Sequence, residues 1–270
     1  MKVGDSSSSN LAITITVEKD GFYEVNGTRQ EPTVSLYMTA GASKLRRMLR
    51  ETDDLIVCPG VYDGPLMVSK SVQQYIQAGV AGFHIEDQIQ NKRCGHLAGK
   101  KVVDLEEYLT RIRAAKLTKD RLRSDIVLIA RTDALQQHGY DECIRRLKAA
   151  RDLGADVGLL EGFTSKEMAR QAVQDLAPWP LLLNMVENGA GPIITTKEAQ
   201  EMGFRIMIFS FACFAPAYLG IKAALERLKN EGVVGIPDGL GPKKLFEVCG
   251  LMDSMKIDTE AGGSGFTNGV

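Results

Sequence analysis

The 270-residue chain has no run of about eighteen apolar residues, so no membrane-spanning helix is expected. It has no block of Lys and Arg either. Its 33 basic and 34 acidic residues leave a formal net charge of −1, which argues against nucleic acid or a membrane surface as a partner. The five cysteines, Cys58, Cys94, Cys143, Cys213 and Cys249, are scattered without a C-x-x-C pair. A disulfide framework or a structural zinc site is therefore not expected, and any cysteine that matters works as a thiol. No G-x-G-x-x-G follows a strand and no phosphate-binding P-loop occurs, which sets the common dinucleotide and nucleotide folds aside. The first residues are Ser-rich, poor in basic side chains and carry Asp5, Glu18 and Asp20. That composition fits neither a secretory signal nor a transit peptide and makes a cytoplasmic location the expectation.

What is present is organised in three stretches. Residues 1–42 read as a flexible appendage: a low-complexity start, then Ile13, Ile15 and Val17 alternating with threonines, a Lys19-Asp20-Gly21 turn, and a possible hairpin return over 22–25. From Ala42, Leu45, Met48 and Leu49 at helical spacing predict an opening helix. Residues 43–230 then alternate short apolar runs with amphipathic stretches, the rhythm of βα units. Strands are predicted at 55–60, 82–87, 126–132, 156–162, 180–187 and 205–210, and helices at 67–78, 105–116, 140–153, 165–176, 196–202 and 214–230. Gly79, Gly154 and Gly203 stand where helices turn back into strands. Residues 231–270 read as a C-terminal helix and tail. The fold class is α/β, and repeated βα units without a nucleotide motif point to a (β/α) barrel rather than an open sheet.

Each apolar run but the first ends in polar side chains: Glu86-Asp87, Arg131-Thr132-Asp133, Glu161, Asn184 with Glu187, and Ser210. In a barrel the strand C-termini converge on one mouth, so these groups predict a shared site there. The segment Lys92-Arg93-Cys94-Gly95-His96-Leu97 follows the second of these strands. Two cations and an imidazole beside a thiol favour its thiolate and suit an acid/base or, less specifically, a nucleophile. Gly95 would let the loop bend. Cys94 and His96 alone lack the further ligands of a zinc site.

These residues carry a resemblance. Lys92 to Leu97 resembles the K-[KR]-C-G-H signature of the isocitrate lyase/phosphoenolpyruvate mutase superfamily, and AGVAGFHIEDQ (78–88) is similar to that family's fourth-strand region. The likeness continues through IARTDA (129–134), GADVGLLEG (154–162), LLLNMVENG (181–189) and GPKKLFEVCGL (241–251), over residues 42–255. It looks strongest toward methylisocitrate-lyase-like, dimethylmalate-lyase-like and oxaloacetate-hydrolase-like members. The resemblance implies a TIM barrel and magnesium-dependent cleavage of a carbon–carbon bond in a small 2-hydroxy di- or tricarboxylate, with oxaloacetate hydrolysis as the alternative. It further implies that Cys94 gives a proton to the departing enolate carbon, tuned by His96 and Lys92. Arg131, Glu161 and Asn184 would hold substrate oxygens and Glu86 would face the metal, directly or through water. Asp133 and Glu187 would act from behind these. The family's exchange of final helices between subunits implies a homo-oligomer, a dimer or homotetramer, or else a non-catalytic subunit associated with a full-length paralogue.

One departure stands out. The phrase PGVYDG (59–64), which resembles the opening of the first family helix, runs straight into GPLMV (64–68), which resembles the text after the third strand. The second and third βα units, with the substrate loop and the paired metal-binding aspartates, have no counterpart. A missing exon, a degenerate non-enzyme and a recombined protein are the competing explanations. At about 31 residues per βα unit, residues 43–230 have room for about six. The expectation is an incomplete barrel with a deletion near 63–65 and little or no activity.

Overall fold

The computed structural model describes residues 64–265 and, as backbone, four earlier strands. In chain order the elements are β1 (Thr16–Val17), β2 (Tyr23–Val25), β3 (Thr28–Gln30), β4 (Val57–Val61), α1 (Pro65–Ala78), β5 (Gly82–Glu86), α2 (Leu105–Arg121), β6 (Val127–Thr132), α3 (Leu135–His138), α4 (Tyr140–Asp152), β7 (Val157–Leu160), α5 (Lys166–Leu176), β8 (Leu182–Asn184), α6 (Thr196–Met202), β9 (Ile206–Ile208), α7 (Phe214–Glu231), α8 (Pro242–Val248) and α9 (Leu251–Glu260). The opening helix predicted from Ala42 and the low-complexity start lie outside the described residues.

The chain divides into two compact units, Met1–Ile15 with Met38–Ser210, and Thr16–Tyr37 with Phe211–Val270. In the second unit β1, β2 and β3 pair antiparallel in that order, with Thr16 opposite Glu24 and Val17 opposite Tyr23. The predicted hairpin is thus present over these residues and gains a third strand. The unit also holds α7, α8 and α9. The last two are separated by Cys249 and Gly250, the latter at φ 91°, so the single predicted C-terminal helix is a pair.

In the first unit β4, β5, β6 and β7 form a parallel sheet in sequence order. A parallel bridge from Gly158 to Leu181 continues it to β8, which pairs parallel with β9. Six parallel strands therefore follow one another in chain order, the neighbour relation of a (β/α) barrel wall. Among the described residues β4 pairs with β5 alone and β9 with β8 alone.

Local chemistry sets the boundaries. Pro65 opens α1, where its missing N–H costs nothing, and Gly79 closes it at φ 71°. Gly203 closes α6 at φ 99°. Asp104 caps α2 through the Glu107 N–H at 2.8 Å, and Thr195 with Glu198 forms a reciprocal capping box on α6. α2 runs past its predicted end at Lys116 because Leu117, Lys119 and Arg121 are all helix formers. β8 is shorter than the predicted run because Val186 to Gly189 folds into a turn, with Gly189 N–H donating to the Val186 carbonyl at 3.1 Å.

Two apolar layers follow from strand alternation. Phe83, Ile85, Leu128, Ala130, Leu160, Leu183 and Met207 pack outward against α1, α2, α4, α5 and α6 through Val72, Ile112, Leu147, Ala172 and Ala199. Ile129, Val157, Leu159 and Leu182, with Val127, Ile206 and Ile208, form a separate cluster on the opposite face of the strands. Each fully buried aliphatic side chain contributes about 1.5–3 kcal/mol.

Candidate active site

The second layer determines where the polar residues go. Successive strand side chains alternate in direction, so the positions two beyond Ile129, Leu159, Leu182 and Ile208 share their face. Those positions are Arg131, Glu161, Asn184 and Ser210. On β5 the same face carries His84 and Glu86, because Phe83 and Ile85 point to the helices. The polar groups therefore converge just past an apolar floor at the C-terminal strand ends.

Their contacts form one line. Lys92 Nζ reaches Glu86 Oε2 at 3.2 Å, and Arg131 Nε lies 3.3 Å from the same oxygen. Arg131 also pairs with both oxygens of Asp133 and, through Nη1, approaches Glu161 Oε2 at 3.4 Å. Asn184 Nδ2 donates to both Glu161 oxygens at 3.3 and 3.2 Å, and its Oδ1 accepts from the Ser210 hydroxyl at 2.7 Å. Glu86, Asp133 and Glu161 are buried, each with cations beside it.

The loop after β5 folds over this line. His96 Nδ1 accepts from the Ala190 N–H at 3.3 Å, which leaves Nε2 as the protonated nitrogen, 3.3 Å from Glu161 Oε1. Gly95 is not in a left-handed conformation, so bending is not its role. A β-carbon there would stand 2.6 Å from Glu161 Cγ and 2.7 Å from Arg131 Nη2. Glycine is required so that the backbone can lie on the two side chains. Cys94, its neighbour, is exposed.

The structure brings together Lys92, His96, Arg131, Glu161, Asn184 and Glu86 as the sequence predicts. Cys94 stands on the covering loop, outside the hydrogen-bonded line. Glu187 is exposed, in the turn that follows β8, where the strand no longer aims it inward. Three participants escaped the sequence reading. His84 could have been found by stepping back two residues from Glu86. Lys100, buried against Asp133 at 3.3 Å, gave no signal. Nor did Arg146, whose Nη1 reaches Asp87 Oδ2 at 3.1 Å from α4. Asp87 also accepts from the Thr132 hydroxyl at 2.6 Å and the Asp133 N–H at 2.8 Å, fixing the β6 end from behind.

Burial dominates the electrostatics. It pushes the Glu86 carboxyl up to about 7, against the pull of Arg131 and Lys92. It lowers His84 to about 3, with Arg131 and Lys92 acting in the same sense, so this imidazole is neutral. For Asp133 the burial penalty is outweighed by Arg131 and Lys100, and its carboxyl lies below the ordinary value. Burial also disfavours the charged Arg131, but Asp133 and Glu161 overcome it and hold the guanidinium protonated.

The magnesium implied by the resemblance meets a poor donor set. Glu86 Oε1 is buried without a partner, as a ligand oxygen would be, but Oε2 is taken by Lys92 and Arg131. Asp87 and Asp133 are likewise committed to cations. Among the described residues no group of three or more His, Cys, Asp or Glu side chains is placed to hold a metal. Magnesium keeps several waters but is usually anchored by one or two carboxylates, and the described residues of this site offer only Glu86 Oε1 unengaged, a poor fit for the ion.

A parallel strand wall whose C-terminal ends gather an Arg, two glutamates and an Asn under a Cys-Gly-His loop defines an α/β protein with a polar site at one end of its strands. The phosphoenolpyruvate phosphomutase family matches residues 34–229, and the chain belongs to it, within the phosphoenolpyruvate mutase/isocitrate lyase superfamily. A 2-methylisocitrate lyase of Halalkalibacterium halodurans is 33% identical over 199 residues, 73% of this chain and 65% of that protein. A solved oxaloacetate acetylhydrolase in complex with 3,3-difluorooxalacetate is 53% identical, with a TM-score of 0.77 over 84% of this chain and 99% of that one. A solved 2,3-dimethylmalate lyase is 46% identical, with a TM-score of 0.78 over 87% of this chain and 99% of that one. The chain spans 65%, 55% and 56% of the length of three curated relatives it matches. Among the described residues no helix is long and apolar enough to cross a membrane.

Proposed function

We propose that this chain carries the site of a carbon–carbon bond lyase or hydrolase for a small 2-hydroxy or 2-oxo di- or tricarboxylate, with methylisocitrate-, dimethylmalate- and oxaloacetate-like compounds as the substrate classes. The observation that carries the reading is the line Glu86, Arg131, Glu161, Asn184 under a loop bearing Cys94 and His96. The guanidinium of Arg131 is held rigid by Glu86, Asp133 and Glu161, and the Nη hydrogens not used in these pairs are the donors it has left for a substrate carboxylate. Asn184 and Ser210 offer donors and acceptors to hydroxyl or keto oxygens. As the hydroxyl of a 2-hydroxy acid gives up its proton to a base and its oxygen forms a carbonyl, the carbon–carbon bond breaks and its electron pair passes to the carbon beside the departing carboxylate. Cys94, exposed on the loop whose Gly95 lies against Arg131 and Glu161, delivers a proton to that carbon in this reading, while His96 and Lys92 tie its loop to Glu161 and Glu86.

The resemblance finds no counterpart in this sequence for the second and third βα units, and with the poor metal donor set this leads to the further expectation that the 270-residue chain turns over slowly or not at all. The test has two arms. The purified chain is assayed with methylisocitrate, dimethylmalate and oxaloacetate, with and without magnesium, and negligible cleavage is expected. A chimera with the two units of the Eubacterium barkeri 2,3-dimethylmalate lyase inserted between Asp63 and Gly64 is assayed alongside its Cys94→Ser variant. Turnover that depends on Cys94 supports the reading. A folded chimera without such turnover on any of the three substrates sinks it.

A second reading, a non-catalytic subunit that associates with a full-length paralogue or with itself, is favoured by α7. Phe214, Tyr218, Leu219, Ile221 and Leu225 along it are each about 60% or more exposed, a surface unlike that of an isolated soluble helix. Co-purification with a paralogue, or a dimer or tetramer by light scattering, supports it; a monomer at every concentration counts against it.

A further inference from the structure

Lysine is rarely buried without a purpose, because removing an ammonium from water costs several kcal/mol unless partners replace the lost hydration. Lys100 is 6% exposed, and its Nζ has two partners from different segments. It donates to the Gly95 carbonyl at 2.8 Å, inside the loop that carries Cys94 and His96, and to Asp133 Oδ1 at 3.3 Å, at the end of β6. The β7 end is close as well, since a β-carbon at Gly162 would stand 3.7 Å from Nζ. We propose that Lys100 is a positioning residue that latches the Cys94 loop onto the ends of β6 and β7.

The other ties of the loop are of a different kind. Lys92 and His96 are half-buried, and their contacts are ones that a substrate carboxylate in this site would compete for. The Lys100 contact lies behind Gly95, on a backbone carbonyl that no substrate group replaces. It is also shared, because Asp133 Oδ1 accepts from Arg131 Nη2 at 3.1 Å as well as from Lys100. One carboxylate therefore sets both the orientation of the guanidinium and the height of the loop. The consequence for catalysis rests on the function proposed above, but the latch itself does not.

The loop supplies its own reporter. Lys92-Arg93 is a tryptic site, and the loop backbone is held by the Leu97 N–H to the Cys94 carbonyl at 2.9 Å and the Arg93 N–H to Gln88 Oε1 at 3.0 Å. Lys100→Met keeps the apolar stem and removes the donor. Cleavage after Arg93 and hydrogen exchange at the Leu97 amide are expected to accelerate about tenfold, with cleavage elsewhere in the first unit unchanged. Lys100→Arg restores the donors and is expected to return both rates most of the way to wild type. Wild-type rates in Lys100→Met, or an equal rise at every basic residue, overturn the latch. If Lys100→Met does not fold, Lys100→Arg decides: protection near the wild-type level supports the latch, and lost protection in a folded protein overturns it. Neither readout needs turnover, so a chimera without activity would leave the latch standing, and an unlatched loop would leave the substrate reading standing.

Discussion

Arg131 and Asp133, two residues apart at the end of β6, form a two-point ion pair: Nε and Nη2 of the guanidinium donate to the two carboxylate oxygens at 2.7 and 3.1 Å. Both side chains are buried, so the pair is worth most when intact and costs most when halved. Asp133→Ala leaves Arg131 and Lys100 with one carboxylate fewer between them. The expected loss is about 3–5 kcal/mol, read from the urea midpoint. Asp133→Asn keeps a hydrogen-bond acceptor and is expected to lose less. Equal stability of Asp133→Ala and wild type would show that the pair is solvated.

The strand ends explain how much of this was legible. Short apolar runs alternating with amphipathic stretches, and the Gly residues after helices, identify the βα units, and the polar residues after all apolar runs but the first include Glu86, Arg131, Glu161 and Asn184, which the structure brings together. The same rule misplaced Glu187, because a turn begins at Val186 and no periodicity announces a turn. Lys100 and Arg146 were invisible for a different reason. Each reaches its carboxylate across 33 or 59 positions of sequence, and only tertiary packing brings such pairs together. Gly95 was found for the wrong reason: its role is close approach to Arg131 and Glu161, which a sequence without coordinates does not distinguish from backbone freedom.

Glu198 gives an acid-limb prediction outside the site. Its carboxylate accepts from Lys166, from the Thr195 N–H and from the Thr195 hydroxyl, which together lower it from 4.5 to about 2. Between those values the unfolded chain binds the proton more readily than the folded one. The stability it contributes is therefore complete above about pH 4.5 and is lost as pH falls through about 2. Glu198→Gln should flatten the fall in urea midpoint over that window while leaving the slope above pH 5 unchanged. An identical acid limb in both proteins would assign the slope to other carboxylates.

Magnesium addition tests the donor count. A ligand that binds only the folded state stabilises it in proportion to the logarithm of its concentration over Kd. With a single unengaged oxygen on Glu86, millimolar magnesium should move the melting temperature by less than about 1 °C. A rise of several degrees, abolished by chelator, would show that donors from other parts of the chain complete a site.

Gly95→Ala separates the loop from the strands. The added methyl meets Glu161 and Arg131 under 3 Å away, and neither can step aside, since Asn184 holds the first and Asp133 the second. The loop must therefore rise, carrying His96 away from Glu161 and the Gly95 carbonyl away from Lys100. The strands and helices lose none of their own contacts, so the melting temperature should fall by only a few degrees, the effect of about 1 kcal/mol in a domain of this size. Binding of oxalate, a small dicarboxylate, should weaken at least tenfold by calorimetry, because the loop no longer covers the site. Unchanged oxalate affinity in the folded variant would mean that the dicarboxylate is held by the strand ends alone and that the Cys94 loop takes no part in binding.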